Sequence, residues 1–224
     1  MRLRVKDYGY ETSVMTARRQ SPVQFEAEVV TSTERDDWPV VLEYRDEGPG
    51  PWLVDLSHLR RWDYQHTDMD SQNPFGLRVP ANPGQVSIQH DMLVSRMNGT
   101  QLAIWNLGHK EAELVPGNAA FTDMTDTHCM LAVIGADTQS VMEHLSNLDL
   151  FDPNRTLPFL TQGPVMHIPC QAVTLGPDCV LMTFSRGYGQ TFAGSALHAA
   201  SGCLLKPAGE KQFNSWQQRH SLRS

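Results

Sequence analysis

The pair Asn98-Gly99 constrains this chain more than any other stretch. It sits between two β-prone runs, Met92-Leu-Val-Ser-Arg-Met97 and Thr100-Gln-Leu-Ala-Ile-Trp105. Asn-Gly supplies the two positive-φ positions of a type I′ turn, and such a turn between β-prone runs predicts a hairpin. Antiparallel pairing is therefore written into the middle of the sequence, with Arg96 and Gln101 as cross-strand polar neighbours beside the turn. Earlier runs repeat the theme. Phe25-Glu-Ala-Glu-Val-Val30 alternates, Trp38-Pro-Val-Val-Leu-Glu-Tyr44 is rich in β-formers, and Trp52-Leu-Val-Asp-Leu56 follows a Gly48-Pro-Gly-Pro51 turn.

After Asn98-Gly99 the pattern changes. The polar stretch from Gly108 to Asn118, with Pro116-Gly117, marks a boundary. It divides the chain into an N-terminal arm (1–22), a β-rich half (23–115) and a mixed half (116–224). In the mixed half Cys129-Met-Leu-Ala-Val-Ile134 reads as a buried strand. Asp137 is placed to cap a helix whose Val141, Met142, Leu145 and Leu148 form one apolar stripe. Gln171–Leu175 and Cys179–Phe184 read as a hairpin across Gly176-Pro-Asp178. A second helix spans about 188–200, with Ala193, Ala196 and Ala200 on one face and Gly202 to stop it. A last helix starts near Pro207, turning Phe213 and Trp216 inward. The expected fold class is α+β, a mainly antiparallel sheet with helices packed on one side.

Composition narrows the function classes. A net charge of −7 argues against nucleic acid or an anionic membrane as main partner, and no apolar run approaches the ~20 residues that cross a bilayer. Cys129, Cys170, Cys179 and Cys203 are widely spaced and no signal-like segment opens the chain, so they read as reduced core thiols of a cytoplasmic protein. The nine histidines form no ligand set, and neither a phosphate loop nor a Gly-x-Ser-x-Gly elbow is present. No metal site is expected. His167 and Cys170 flank Ile-Pro on an extended segment, which points them apart. Residues 68–85 read as a loop-rich connection, and its proline-rich 73–84 loop and the charged segment from Arg2 to Arg19 look like contact surface. Trp52, Trp62, Tyr64 and Phe75 are either anchors of such a contact or core.

Three phrases stand in order: Phe121-Thr-Asp-Met-Thr-Asp126 before the buried strand, Phe184-Ser-Arg-Gly-Tyr188 before the second helix, and Leu205-Lys-Pro-Ala-Gly-Glu210 near the end. An earlier phrase, Asp55-Leu-Ser-His58, has a weaker echo at Asp123-Met-Thr-Asp126. On these phrases the chain resembles the aminomethyltransferase family, the T-protein of the glycine cleavage system and its relatives, over roughly its last 40 per cent. Among those relatives it is most similar in size and layout to the gamma subunit of heterotetrameric sarcosine oxidase. The resemblance implies the fold of the T-protein N-terminal module. It also implies that Asp55, His58, Asp123, Arg186 and Tyr188 are where a remnant folate pocket would be sought. The plain alternative is a polar strand end at Asp55, His58, Arg60 and Arg61, a solvated Arg186 and a packing Tyr188.

The resemblance departs from catalytic members in a specific way. Those carry an Asn, paired Gly and an Asp in a central segment, and a Thr-Gly-Tyr-Thr-Gly-Glu phrase. Here no acidic residue occurs between Asp152 and Val173, which leaves no carboxylate there to move a proton. No catalytic residue is assigned. The implied role is a non-catalytic gamma-like subunit of a folate- and flavin-linked amine oxidase or demethylase such as sarcosine oxidase. Its partners would be larger flavin- and folate-binding subunits, and this chain alone would bind no cofactor unless a tetrahydrofolate pocket survives. The competing readings are a stand-alone tetrahydrofolate-dependent aminomethyl- or methyltransferase and a folate-binding accessory protein.

Overall fold

A computed structural model describes residues 18–108 and 118–220. In chain order the first strands are β1 (Val29–Arg35), β2 (Trp38–Tyr44), β3 (Trp52–Asp55), β4 (Arg61–Gln65), β5 (Val86–Gln89), β6 (Met92–Arg96) and β7 (Gln101–Asn106). Then come β8 (Phe121–Asp123), β9 (His128–Ile134), helix α1 (Thr138–Leu145), β10 (Phe159–Val165), β11 (Ile168–Gly176) and β12 (Cys179–Ser185). Helix α2 (Gly189–Ala199), β13 (Lys206–Ala208) and helix α3 (Glu210–Arg219) close the described part. Residues 1–17 of the expected arm and 109–117 of the expected linker lie outside the described residues.

Three sheets result. β1 and β2 form a ribbon, β5-β6-β7-β4-β8 a five-stranded sheet, and β10-β11-β12-β9-β3-β13 a six-stranded one. Pairing is antiparallel throughout except where β13 runs parallel to β3. The chain is thus α+β and mainly antiparallel. The sheets interleave the segments 23–115 and 116–224: β3 joins the six-stranded sheet beside β9, and β8 joins the five-stranded one beside β4.

Both faces of the six-stranded sheet are covered, which is why Cys129–Ile134 reads as a continuous apolar run rather than an alternation. Leu131 and Val133 face α1 and α2, packing with Val141, Met142, Leu145, Phe192, Ala193 and Ala196. The alternate residues Met130, Ala132 and Ile134 face the other way, toward Phe213 and Trp216 of α3 and Leu93 and Trp105 of the five-stranded sheet. So α1 and α2 share one face as expected, while α3 lies on the opposite one. The stripe on α1 is core, although the helix ends at Leu145 and Leu148 packs from the loop beyond. The alanines of α2 are buried, letting its backbone come close to the sheet.

Several local expectations are corrected. The first strand starts at Val29, not Phe25. Pro207 does not open a helix. It sits in β13, and Gly209 is the cap of α3. The Asn98-Gly99 hairpin exists, but not as a type I′ turn. Met97 pairs with Gln101 across three residues, neither Asn98 nor Gly99 takes a positive φ, and the Asn98 side chain accepts the Thr100 amide at 2.9 Å. Two-residue loops with both φ values positive occur instead at Asp36-Asp37, His90-Asp91 and Met166-His167. Trp62 and Tyr64 are core residues, packed with Phe75 and Phe121 through edge contacts 4.7–5.2 Å apart, so they cannot anchor a partner.

Candidate functional site

Parallel pairing of β3 with β13 sets Val54 beside Ala208, and so brings the phrases Asp55–His58 and Leu205–Glu210 together across 150 residues of chain. His58 Nε2 meets Glu210 Oε1 at 2.8 Å, and Arg35 Nη1 reaches the same oxygen at 2.6 Å. Glu210 is 1% exposed, so its carboxylate depends on such donors to offset desolvation. A carboxylate acceptor there requires His58 to carry its proton on Nε2.

Gly209 makes this junction fit. A Cβ on it would lie 2.2 Å from the Leu42 carbonyl carbon of β2, and its amide donates to Glu47 Oε1 at 2.8 Å. Glu47 is itself buried and also accepts the Tyr44 amide and the Gln212 side chain, both at 2.8 Å.

Above the junction lies a cavity of about 280 Å³ walled by Trp38, Tyr44, Phe25, Asp55 and His58. The segment from Gln20 to Phe25 crosses it as a strap. Ser21 Oγ donates to one Asp55 oxygen, and the Ser57 amide donates to the other at 3.0 Å. The Gln20 carbonyl accepts from Arg186, whose guanidinium stands 5.5 Å from the Trp38 ring. Gln24 and Gln190 bond reciprocally, amide to side chain at 2.7 Å and side chain to carbonyl at 3.0 Å. Gly189 lets the strap close down, since a Cβ there would fall 2.7 Å from Pro22 Cβ. Burial first, then the charges of Asp55 and Glu47, push the Tyr44 phenol well above its ordinary range, which makes it a neutral wall.

Of the five candidates, Asp55 and His58 therefore line one cavity, and Arg186 reaches its edge through Gln20 and Trp38. Asp123 lies elsewhere, at the end of β8, where its carboxylate accepts the Thr125 amide at 2.8 Å. This copies the turn at Asp55, so the two echoing phrases share a local structure. Tyr188 is 50% exposed and does not line the cavity. Sequence reading missed Ser21, Trp38, Tyr44 and the role of Glu210. Only Glu210 carried a signal, as the last residue of a quoted phrase. His167 falls in a turn with positive φ, so the segment is not extended there, and Cys170 is buried in β11. Among the described residues no cluster of His, Cys, Asp and Glu could hold a metal ion.

No protein-family model matches the sequence, and no curated protein does. Solved structures do match. A chain of the heterotetrameric sarcosine oxidase from Corynebacterium sp. U-96, solved in complex with pyrrole 2-carboxylate, superposes with a TM-score of 0.56 at 12% identity, covering 67% of this chain and 83% of that one. The glycine cleavage system aminomethyltransferase T from Bartonella henselae superposes with a TM-score of 0.50 at 14% identity, covering 81% of this chain and 56% of that one. This chain has the T-protein-like fold. At such identities the likeness concerns the fold alone, and what the cavity does must be argued from its own residues. Among the described residues no helix is long and apolar enough to cross a membrane.

Proposed function

We propose that this chain is a non-catalytic, gamma-like subunit of a folate- and flavin-linked amine oxidase or demethylase of the sarcosine oxidase kind, working in the cytoplasm. One observation carries the reading. Asp55, His58 and Arg186 each bond within the chain, Asp55 to Ser21 and the Ser57 amide, His58 to Glu210, and Arg186 through Nη2 to Gln20, while Arg186 Nη1 and Trp38 Nε1 are buried with no hydrogen-bond partner. Such a cluster holds the strap and the α3 junction in place. These bonds tie Asp55, His58 and Arg186 to the strap and the α3 junction, which supports a structural task for them. A volume of about 280 Å³ lies at the small end of ordinary ligand sites, roughly 300–1,000 Å³. The strap would also have to leave before Asp55 or Arg186 reached a ligand. Flavin and folate then belong to larger partner subunits, and the likeness to a chain of a heterotetramer supports an assembly.

The test is capture of the tagged chain from its own cytoplasm, with its companions identified by mass spectrometry and flavin absorbance. Flavin-containing oxidoreductase chains are expected in stoichiometric amount. Recovery of the chain alone as a monomer would refute the proposal. So would turnover of methylated amines with tetrahydrofolate by the isolated chain, lost on His58→Ala, which would favour the stand-alone transferase. Saturable tetrahydrofolate binding without turnover would favour the folate-binding accessory protein.

A further inference from the structure

Among the described residues β1 pairs with β2 alone, so its outer edge is open. The Asp36-Asp37 turn closes the hairpin with both φ values positive, which makes Arg35 and Trp38 a hydrogen-bonded pair. Such pairs alternate along an antiparallel ladder. Glu34 opposite Pro39 and Ser32 opposite Val41 are then the other kind, with N–H and C=O pointing away from β2. Among the described residues no backbone hydrogen bond from elsewhere reaches Ser32 or Glu34. Val30, Ser32 and Glu34 also turn their side chains to solvent, whereas Thr31, Thr33 and Arg35 are partly buried. Val29 and Val30 are 48% and 52% exposed. Register shifts bend the strand between Val29 and Ser32, but Val29-Val-Thr-Ser-Thr33 holds none of the Lys or Pro that commonly blunt an edge.

Charge selects what could lie there. From Glu26 to Glu47 the chain holds eight acidic and two basic residues, a local charge of −6 against −7 for the whole chain. Both bases are engaged, Arg35 with the buried Glu210 and Arg45 with Glu28. Asp36 and Glu43 pair with Arg60 and Lys211, and Glu47 is buried. Glu26 before the strand, and Glu34 and Asp37 at its far end, remain exposed and form no ion pair among the described residues. A second copy of this chain would bring its own acids to the same edge, and like charges facing each other across strands are destabilising.

We propose that β1 is a docking edge for an extended segment of a partner protein, taken up as an added strand, β-branched in its middle and carrying Lys or Arg at its ends. Main-chain bonds to Ser32 and Glu34 supply affinity and Val29 and Val30 the apolar contact. Glu26, Glu34 and Asp37 select a basic partner. The edge gives the assembly proposed above a point of contact, and rests on that reading only for the identity of the partner.

The probe is a synthetic peptide, Lys-Arg-Thr-Val-Thr-Val-Thr-Arg-Lys, added to the full chain, with a control peptide bearing Glu in place of every Lys and Arg. Peptide fluorescence anisotropy and amide hydrogen exchange are read. The basic peptide should bind saturably, slow exchange at Ser32 and Glu34, and weaken as salt is added. The acidic control should not bind. Ser32→Pro removes one outward N–H where an edge strand tolerates proline, so binding should fall about tenfold while the melting temperature stays put. Should that variant fail to fold, Glu34→Lys leaves the backbone intact and should weaken binding roughly threefold. Equal binding of both peptides, binding of neither, or protection that spares residues 29–35 would each overturn the proposal. So would slow exchange at Ser32 and Glu34 in the chain alone, the mark of an edge already covered by a second copy or by residues 1–17. Peptide binding without flavin-containing companions in the capture experiment would refute the assembly and leave the edge standing. Companions recovered with no peptide binding would refute the edge alone.

Discussion

Replacing Gly209 by alanine tests whether the α3 junction is as tight as it looks. The added Cβ would stand 2.2 Å from the Leu42 carbonyl carbon, 2.3 Å from its oxygen and 2.4 Å from the Glu43 nitrogen. Ordinary contact needs well over an ångström more, and all three atoms are backbone of β2, so no side chain can swing aside. Either β2 retreats from α3 or Gly209 does. Both movements stretch the bond from the Gly209 amide to Glu47, worth about 1.5–3 kcal/mol as a hydrogen bond to a charged group. Overpacking adds about 1–3 kcal/mol. The expected loss is therefore roughly 2.5–6 kcal/mol. Gly194→Ala is the internal control. Gly194 sits in the exposed middle of α2 with nothing within 4 Å of its Cβ position, and should gain about 0.5–1 kcal/mol from helix propensity. Urea denaturation of the three proteins decides. A loss under 0.5 kcal/mol at Gly209 would show that β2 and α3 are not locked together.

Leu145→Ala, at the centre of the stripe on α1, should cost roughly 2–5 kcal/mol, and an effect below 0.5 kcal/mol would mean that α1 does not pack on the sheet. Stability should fall between about pH 8.5 and 10. Burial pushes Cys129 up to about 12 and Cys170 to about 11, so the folded chain keeps protons that unfolded thiols release near 8.5. Arg61, held down at about 10, acts with the opposite sign only above that value, so a urea midpoint that holds or rises from pH 8 to 10 would contradict the assignment. A thiol reagent applied to the native protein should modify Cys203 first, because the other three cysteines are buried, and uniform reactivity would refute this burial pattern.

The sequence made β9, the β11–β12 hairpin, α1 and α2 of the second half legible because each announces itself locally. A six-residue apolar run, a stripe at 3.6 spacing and a run of small residues need no partner to be recognised. Turn chemistry misled where composition and conformation part. Asn98-Gly99 has the residues of a type I′ turn but closes a three-residue loop, while Asp36-Asp37, His90-Asp91 and Met166-His167 take positive φ without a glycine. Nothing local could show that β3 leaves its own segment to lie between β9 and β13. The candidate site suffered most. Asp55 and His58 were visible as a phrase, but their partners Ser21 and Glu210 stand 34 and 152 residues away.

That wide separation also governs how the molecule is made. As the chain emerges, β3 can take its place against β9 once residue 134 is out, yet its other edge stays bare until Lys206–Ala208 arrive. His58 waits equally long for Glu210. An exposed strand edge held open over some seventy residues of synthesis is a template for the wrong neighbour. Closure by such a distant segment is slow, because loop entropy must be overcome before the contact rewards it. A chain cut short of β13 would keep its helices α1 and α2 and most of its sheet, and still offer β3 to any strand that came by.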